Sequence, residues 1–205
     1  VEKLERSLVH ETEFNNFIQA NTHLDSFEFI DATLKYFNFN LTVTDQDIKN
    51  IPSSSRVVIV ANYPLGGLDS IALIKLISNI RKDIKVVSTD FLEEISNFDS
   101  LLINTNGTVK VKKRDAVLDI QKALDNDMAI IMFPAGKVSK VSSKGIRDKK
   151  WKKSFLKFAQ RSSSPILPIF IGGKNSKSFY SISALNKKFS KLLLAGEMFK
   201  QKDKT

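Results

Sequence analysis

Two short segments of this 205-residue chain gather residue types that can do chemistry. The first is Asn62-Tyr63-Pro64-Leu65-Gly66-Gly67-Leu68-Asp69, and the second is Phe133-Pro134-Ala135-Gly136-Lys137-Val138-Ser139. The first offers an amide at Asn62, a phenol at Tyr63 and a carboxylate at Asp69. Gly66, Gly67 and Gly136 allow a backbone to come close to a ligand. Lys137, Lys140, Lys144, Arg147, Lys149 and Lys150 belong to or follow the second segment. Lysines bind phosphate as point charges, so such a run needs no strict spacing. The chain has no Cys, which excludes thiol catalysis, thiolate metal sites and a disulfide framework. Its 2 histidines, His10 and His23, lie outside both segments and are too few for a multi-histidine metal site. Plainer readings stand beside these. Asp69 suits a helix N-cap or first turn, Phe133–Gly136 suits a strand-ending turn, and lysine runs are often solvated faces.

The elements around these segments read as alternating strands and helices. Arg56–Ala61 is short, β-branched and uninterrupted, as a buried strand is. After the Pro64–Leu68 loop, Asp69–Ile80 has helical spacing, with Leu73, Leu76, Ile77 and Ile80 on one side. Ile84–Val87 and Thr108–Val111 are further strand candidates, and Asp90–Phe98 and Ala116–Leu124 read as helices. Ala129–Phe133 is another apolar strand running into Pro134. Trp151–Ala159 is helical by its aromatic spacing, and Ile166–Ile171 reads as a last buried strand. Upstream, Phe27, Ile30, Leu34 and Phe37 give an N-terminal helical segment over 1–50. This alternation predicts an α/β domain with a largely parallel sheet, in which ligands gather at the carboxyl ends of the strands. Both segments fall at such ends.

Composition fits a globular chain, with 42% hydrophobic and 26% charged residues. No apolar run approaches the roughly 18 residues of a spanning helix. Residues 1–6 are charged at once, so no signal peptide is expected. The net charge of +10 is unevenly spread. Residues 1–50 hold four basic and nine acidic residues, and 51–136 hold ten of each. Residues 137–153 then hold eight basic residues against Asp148 alone. A one-sided field of this kind draws phosphate-bearing or acidic partners: anionic lipid, nucleic acid or an acidic carrier. No nucleic-acid motif and no basic-aromatic interleaving is present, which argues against nucleic acid.

Taken together, the two segments resemble the lysophospholipid or glycerolipid acyltransferase superfamily. That family carries an Asn-His-…-Asp block after its first strand and a Phe-Pro-Glu-Gly-…-Ser block after a later one. A bacterial hemolysin-like branch, which includes enzymes acylating amino-acid lipids, is similar over more of the chain. Its loops read Asn-His-Pro-Leu-Gly-Gly-Leu-Asp-Gly and Phe-Pro-Ala-Gly-…-Val-Ser. Further blocks agree in order: Phe29-Ile30-Asp31, Asp148 through Trp151-Lys152-Lys153-Ser154 to Phe155, Gly173-Lys174-Asn175-Ser176 with Phe179-Tyr180, and Glu197-Met198-Phe199-Lys200.

The resemblance implies a glycerolipid-acyltransferase-like α/β domain over 51–205, its mixed, mostly parallel sheet flanked by helices. Family members continue past the Glu-Met-Phe segment with another strand, so the chain ending at Thr205 is expected to lack it. The implied reaction moves a fatty acyl group from acyl-carrier-protein or acyl-CoA to a lysolipid or lipo-amino-acid acceptor. It needs no bound cofactor or metal. It would run at the cytoplasmic face of an anionic membrane, on which the protein would lie peripherally. Carried over by motif, Tyr63 and Asp69 hold the catalytic positions. Asn62, Gly66, Gly67, Phe133, Pro134, Ala135, Gly136, Lys137, Ser139 and Arg147 hold substrate-binding ones. Tyr63 departs from the pattern, because the family has histidine there as general base. A tyrosine of ordinary pKa near 10 is a poor base at neutral pH. Either cationic neighbours activate it, or the base has been lost and the fold kept. Ala61-Asn62-Tyr63-Pro64 offers no cation, which favours loss. The alternative function is a non-catalytic relative that binds acyl chains or membranes.

Overall fold

The computed structural model describes residues 10–88, 91–105, 113–143, 145–185 and 189–202. Five strands form its central sheet: β1 (Val57–Ala61), β2 (Ile84–Ser88), β3 (Leu102–Asn104), β4 (Ala129–Met132) and β7 (Ile166–Ile169). Their spatial order is β3-β2-β4-β1-β7, and every neighbouring pair is parallel. The α/β class and the parallel sheet expected from the sequence are therefore observed.

β1 and β4 are continuous apolar runs because the sheet is covered on both faces. Alternate side chains go to opposite layers. Val57, Ile59 and Ala61 join one core with Ile84, Val86, Ala129 and Ile131. Val58 and Val60 join another with Val87, Ile130 and Met132. The first core is completed by α2 (Ser26–Tyr36) and α4 (Leu68–Ser78), the second by α5 (Lys113–Asp125) and α6 (Ser154–Ser162). α1 (Glu11–Ala20) and the short α3 (Asp45–Lys49) complete the N-terminal segment. α2 starts at a capping box. Asp25 accepts the Phe27 and Glu28 amides at 2.8 and 2.9 Å, and Glu28 accepts the Asp25 amide at 3.0 Å. Its Phe29 and Ile30 are buried in the same core as the strands.

Several expectations are corrected. The stretch read as a buried strand at Ile166–Ile171 is the half-buried edge strand β7, where Pro168, having no N–H, is tolerated. Of the stretch Asp90–Phe98 read as a helix, Asp90 lies outside the described residues and the rest forms two 3-10 turns, Phe91–Glu94 and Ser96–Phe98. α6 begins at Ser154, so Trp151 belongs to the loop before it, where its indole bonds a carboxylate. The strand candidate Thr108–Val111 lies outside the described residues, as does Lys144. A two-stranded antiparallel ribbon, β5 (Lys140–Ser142) with β6 (Gly145–Arg147), was not foreseen. Nor were α7 (Lys177–Leu185) and α8 (Phe189–Gln201). Among the described residues, no helix is long and apolar enough to cross a membrane.

Arg81 fastens the amino ends of the central strands. Its buried guanidinium donates to the carbonyls of Ser55 (2.7 Å), Asp127 (2.9 Å) and Pro52 (3.3 Å) and to the Asp83 carboxylate. Removing it orphans carbonyls before β1 and before β4. Arg81→Ala should therefore lower the unfolding free energy by about 1–3 kcal/mol. Urea denaturation checks this, with an unchanged midpoint as the contrary result.

Candidate functional site

The segments after β1 and β4 meet at the carboxyl ends of these adjacent strands. The first is shaped by a carboxylate. Asp69 is 1% exposed and accepts four amides of its own loop. One oxygen takes Leu65 N–H (2.8 Å) and Gly66 N–H (3.3 Å), the other Gly67 N–H (2.9 Å) and Ser70 N–H (3.0 Å). Burial pushes its carboxyl above the ordinary aspartate range, while the four donors pull against that shift. Asp69 thus stands in the first turn of α4, whose N-cap is Gly67. Asn62 is engaged with backbone as well. Its side chain donates to the Ile171 carbonyl at 2.8 Å and accepts the Ile171 amide at 2.6 Å, extending the β1–β7 pairing past the strand ends.

The second segment turns sharply. Gly136 N–H donates to the Phe133 carbonyl at 2.9 Å, and Gly136 sits at φ +62°. Lys152 N–H donates to the Pro134 carbonyl at 3.0 Å. A Cβ on Gly136 would lie 3.5 Å from the Lys152 ammonium, so this cation rests against the turn. Pro134 and Ala135 are buried.

A small polar knot joins the two segments. The Tyr63 carbonyl accepts the Ser139 amide at 2.9 Å. Asp148 accepts the Ser139 hydroxyl at 2.5 Å, the Tyr63 amide at 3.4 Å and the Trp151 indole N–H at 2.9 Å. The Tyr63 ring packs on Phe133 with centroids 4.9 Å apart, and Tyr63 is only 8% exposed. Of the residues singled out from sequence, Tyr63 therefore touches both Phe133 and Ser139, with Pro134, Ala135 and Gly136 on the turn between them. Lys137 and Arg147 are exposed at the rim. His23 is exposed, and His10 stacks on Phe199 of α8 at 4.4 Å.

A clamp holds the first segment from the other side. Leu194 and Met198 of α8 lie against Gly66 and Gly67, where an added Cβ would meet Leu194 Cδ2 at 2.7 Å and Met198 Sδ at 3.1 Å. These glycines therefore admit a helix. Asn175 donates its amide to the Pro64 carbonyl at 3.2 Å. Glu197 accepts the Ser176 amide and hydroxyl, both at 2.6 Å, and pairs with Lys200 at 2.8 Å. Burial raises the Glu197 carboxyl, but Lys200 and the Ser176 donors outweigh it and hold the group below its ordinary value of 4.5.

Asp148, Lys152, Asn175 and Glu197 were absent from the sequence-derived site. One signal for Asp148 was available, since it is the single acid among the eight bases of 137–153. Beside the first segment runs a groove of about 770 Å³ between residues 39–51, α4 and β7. Phe39, Leu41, Leu73, Leu76, Leu167 and Phe170 give it an apolar wall, and Leu65 and Asp69 line it as well. Among the described residues, no cluster of three His, Asp or Glu side chains is placed to hold a metal ion.

The two joined loops lie outside the carboxyl ends of adjacent parallel strands, the place where open α/β sheets bind their ligands. The chain belongs to the acyltransferase family, whose sequence pattern matches residues 2–205. Two curated relatives carry the same name, lyso-glycine lipid O-acyltransferase. The one from Bacteroides thetaiotaomicron is 31% identical over 207 residues, spanning 98% of this chain and 75% of that protein. The one from Phocaeicola vulgatus is 28% identical, spanning 98% of this chain and 73% of its own length. No solved structure matches significantly. The resemblance to the amino-acid-lipid branch read from the motifs thus agrees with both the family and the named relatives.

Two outcomes follow. Gly66 (φ +85°) and Gly145 (φ +92°) both occupy the left-handed region, but only Gly66 faces a packed side chain. Gly66→Ala should destabilise by about 1 kcal/mol more than Gly145→Ala, the excess reading the contact with α8. Equal thermal midpoints would remove that contact from the account. Glu197 has a depressed carboxyl, so its stabilisation is present above the unfolded value and lost as pH falls through the folded one. The stability gap between the parent protein and Glu197→Gln should be open at pH 7 and close in acid below the ordinary glutamate range. A gap independent of pH would contradict the assignment.

Proposed function

We propose that this protein handles an acyl thioester, carried by acyl-carrier-protein or CoA, and a lysolipid or lipo-amino-acid acceptor at the inner face of a membrane. We further propose that Tyr63 leaves it with little acyl transfer at neutral pH. The observation that carries the reading is the joined pair of loops, with Tyr63 at the position where the family has its histidine. The relatives' names support a lipid acceptor of the amino-acid type.

In the reaction, the acceptor oxygen attacks the thioester carbonyl, the C–O bond forms and the C–S bond breaks. The acceptor proton goes to a base, and the departing sulfur ends as a thiol. A positioned base is worth about 10²- to 10⁴-fold. A tyrosine of ordinary pKa is protonated at pH 7 and offers no site for that proton. The Tyr63 backbone amide donates to a carboxylate, Asp148. Lys152 at the Gly136 turn and Lys137 at the rim offer positive charge to an anionic headgroup or donor phosphate. A second reading, a relative that binds acyl chains without turnover, draws on the apolar groove beside Leu65 and Asp69.

Tyr63→His tests both. Thioester-dependent acylation of a lysolipid or lipo-amino-acid by Tyr63→His, with about 10²-fold less in the parent, is the expected result. Strong parental activity that disappears in Tyr63→Phe would instead make the phenol a working base. Inactivity of both, with retained acyl-chain binding, would leave the binding reading in place.

A further inference from the structure

The β5–β6 ribbon carries a pattern that the acyl-transfer reading does not use. Its register pairs Val141 with Ile146 and Lys140 with Arg147. Side chains alternate across the two faces of a ribbon, so the apolar pair stands on one face and the two cations on the other. Val141 is 56% exposed and Ile146 41%, two β-branched residues directly opposite each other in solvent. Lys140 and Arg147 stand directly opposite each other on the second face. Lys149 and Lys150 follow at once and are exposed.

The root of the ribbon is the polar knot. Ser139 immediately precedes β5 and Asp148 immediately follows β6, and the two bond each other at 2.5 Å while both bond the Tyr63 backbone. An isolated two-stranded ribbon is only marginally stable in water. This one is tied at its base to the residues around Tyr63 and lies against α7 along β5, so whatever seats the ribbon is held beside the candidate site.

We propose that the β5–β6 ribbon is the bilayer seat of this protein: Val141 and Ile146 enter the headgroup boundary of an anionic membrane, and Lys149 and Lys150, which follow the ribbon, take its negative headgroups. An exposed apolar pair with exposed Lys149 and Lys150 close by in the chain suits a lipid interface, where both kinds of group find partners. A nucleic acid or a soluble polyanion would leave the apolar pair uncovered. The proposal rests on the lipid-acceptor reading above and adds how such an acceptor would be presented.

The test measures partitioning of the full chain onto phosphatidylglycerol–phosphatidylcholine vesicles, with heparin as a soluble polyanion for comparison. Val141→Ser/Ile146→Ser should lower vesicle partitioning about ten-fold and leave heparin binding unchanged. Lys149→Gln/Lys150→Gln should lower it about five-fold per cation at low salt, with the difference fading at high salt. Leu118→Ser, at an exposed apolar position on α5, should partition like the parent. Val141→Trp should show a blue-shifted emission on adding vesicles, a readout that does not depend on loss of binding. The proposal is overturned if the parent does not bind the vesicles, if the double serine variant binds as the parent does, or if the tryptophan emission stays unshifted. Acylation by Tyr63→His of a detergent-dispersed acceptor separates the two readings. If that activity is present while the ribbon variants bind vesicles normally, the seat fails and the chemistry stands. If it is absent while the ribbon variants lose binding, the reverse holds.

Discussion

A buried carboxylate sets the shape on which the rest of the site depends. Taking Asp69 out of water costs several kcal/mol unless its oxygens are well supplied with donors. Four backbone amides from Leu65, Gly66, Gly67 and Ser70 supply them. To point so many N–H groups at one side chain the chain has to curl, and Gly66 at φ +85° is where it curls. The carboxylate also meets amides at the start of α4, where the helix dipole favours negative charge. The same group thus closes the loop after β1 and opens the helix that follows.

That curl has consequences further away. With no Cβ at Gly66 and Gly67, α8 approaches closely enough for Leu194 and Met198 to rest on the loop. Glu197 on the same helix then reaches the Ser176 amide and hydroxyl, while Asn175 holds the Pro64 carbonyl. Phe199 continues the contact to α1 and α2, stacking on His10 and meeting Phe37 edge-on at 5.1 Å. A motif loop, a distant helix and the N-terminal segment are therefore one packed unit. A change at Gly66 would be felt at Glu197, more than a hundred residues away in sequence.

The parts legible in sequence were those with local signals. β1 and β4 showed as β-branched runs, α2 and α4 showed apolar periodicity, and the strand-end loops showed Pro and Gly. The tertiary parts were not legible. Ile166–Ile169 looks as apolar as a central strand, and only its place in the strand order makes it an edge. Trp151 fits a helical stripe, but its indole N–H is drawn to Asp148, and the helix starts after it. The ribbon has only three residues per strand, too few for alternation to register. Asp69 was read as cap or functional acid, and the sequence has no means of showing that its oxygens take four amides of its own loop. Asn62, Gly66 and Gly67 were read as substrate-binding positions; what the structure gives each is a contact with Ile171, Leu194 or Met198.

These contacts bear on what a substitution at residue 63 can change. Tyr63 is fixed through its backbone: its carbonyl takes the Ser139 amide and its own amide reaches Asp148. Neither bond depends on the identity of the side chain. The ring contributes packing against Phe133, a contact an imidazole can also make. The neighbouring Asp69 is satisfied by amides whatever residue 63 is. The two backbone bonds of the knot are therefore open to histidine and tyrosine alike, which is what the proposed exchange of one for the other requires. On the proposed reading, the atoms that join residue 63 to Ser139 and Asp148 are backbone atoms, distinct from the side chain that would take the acceptor proton.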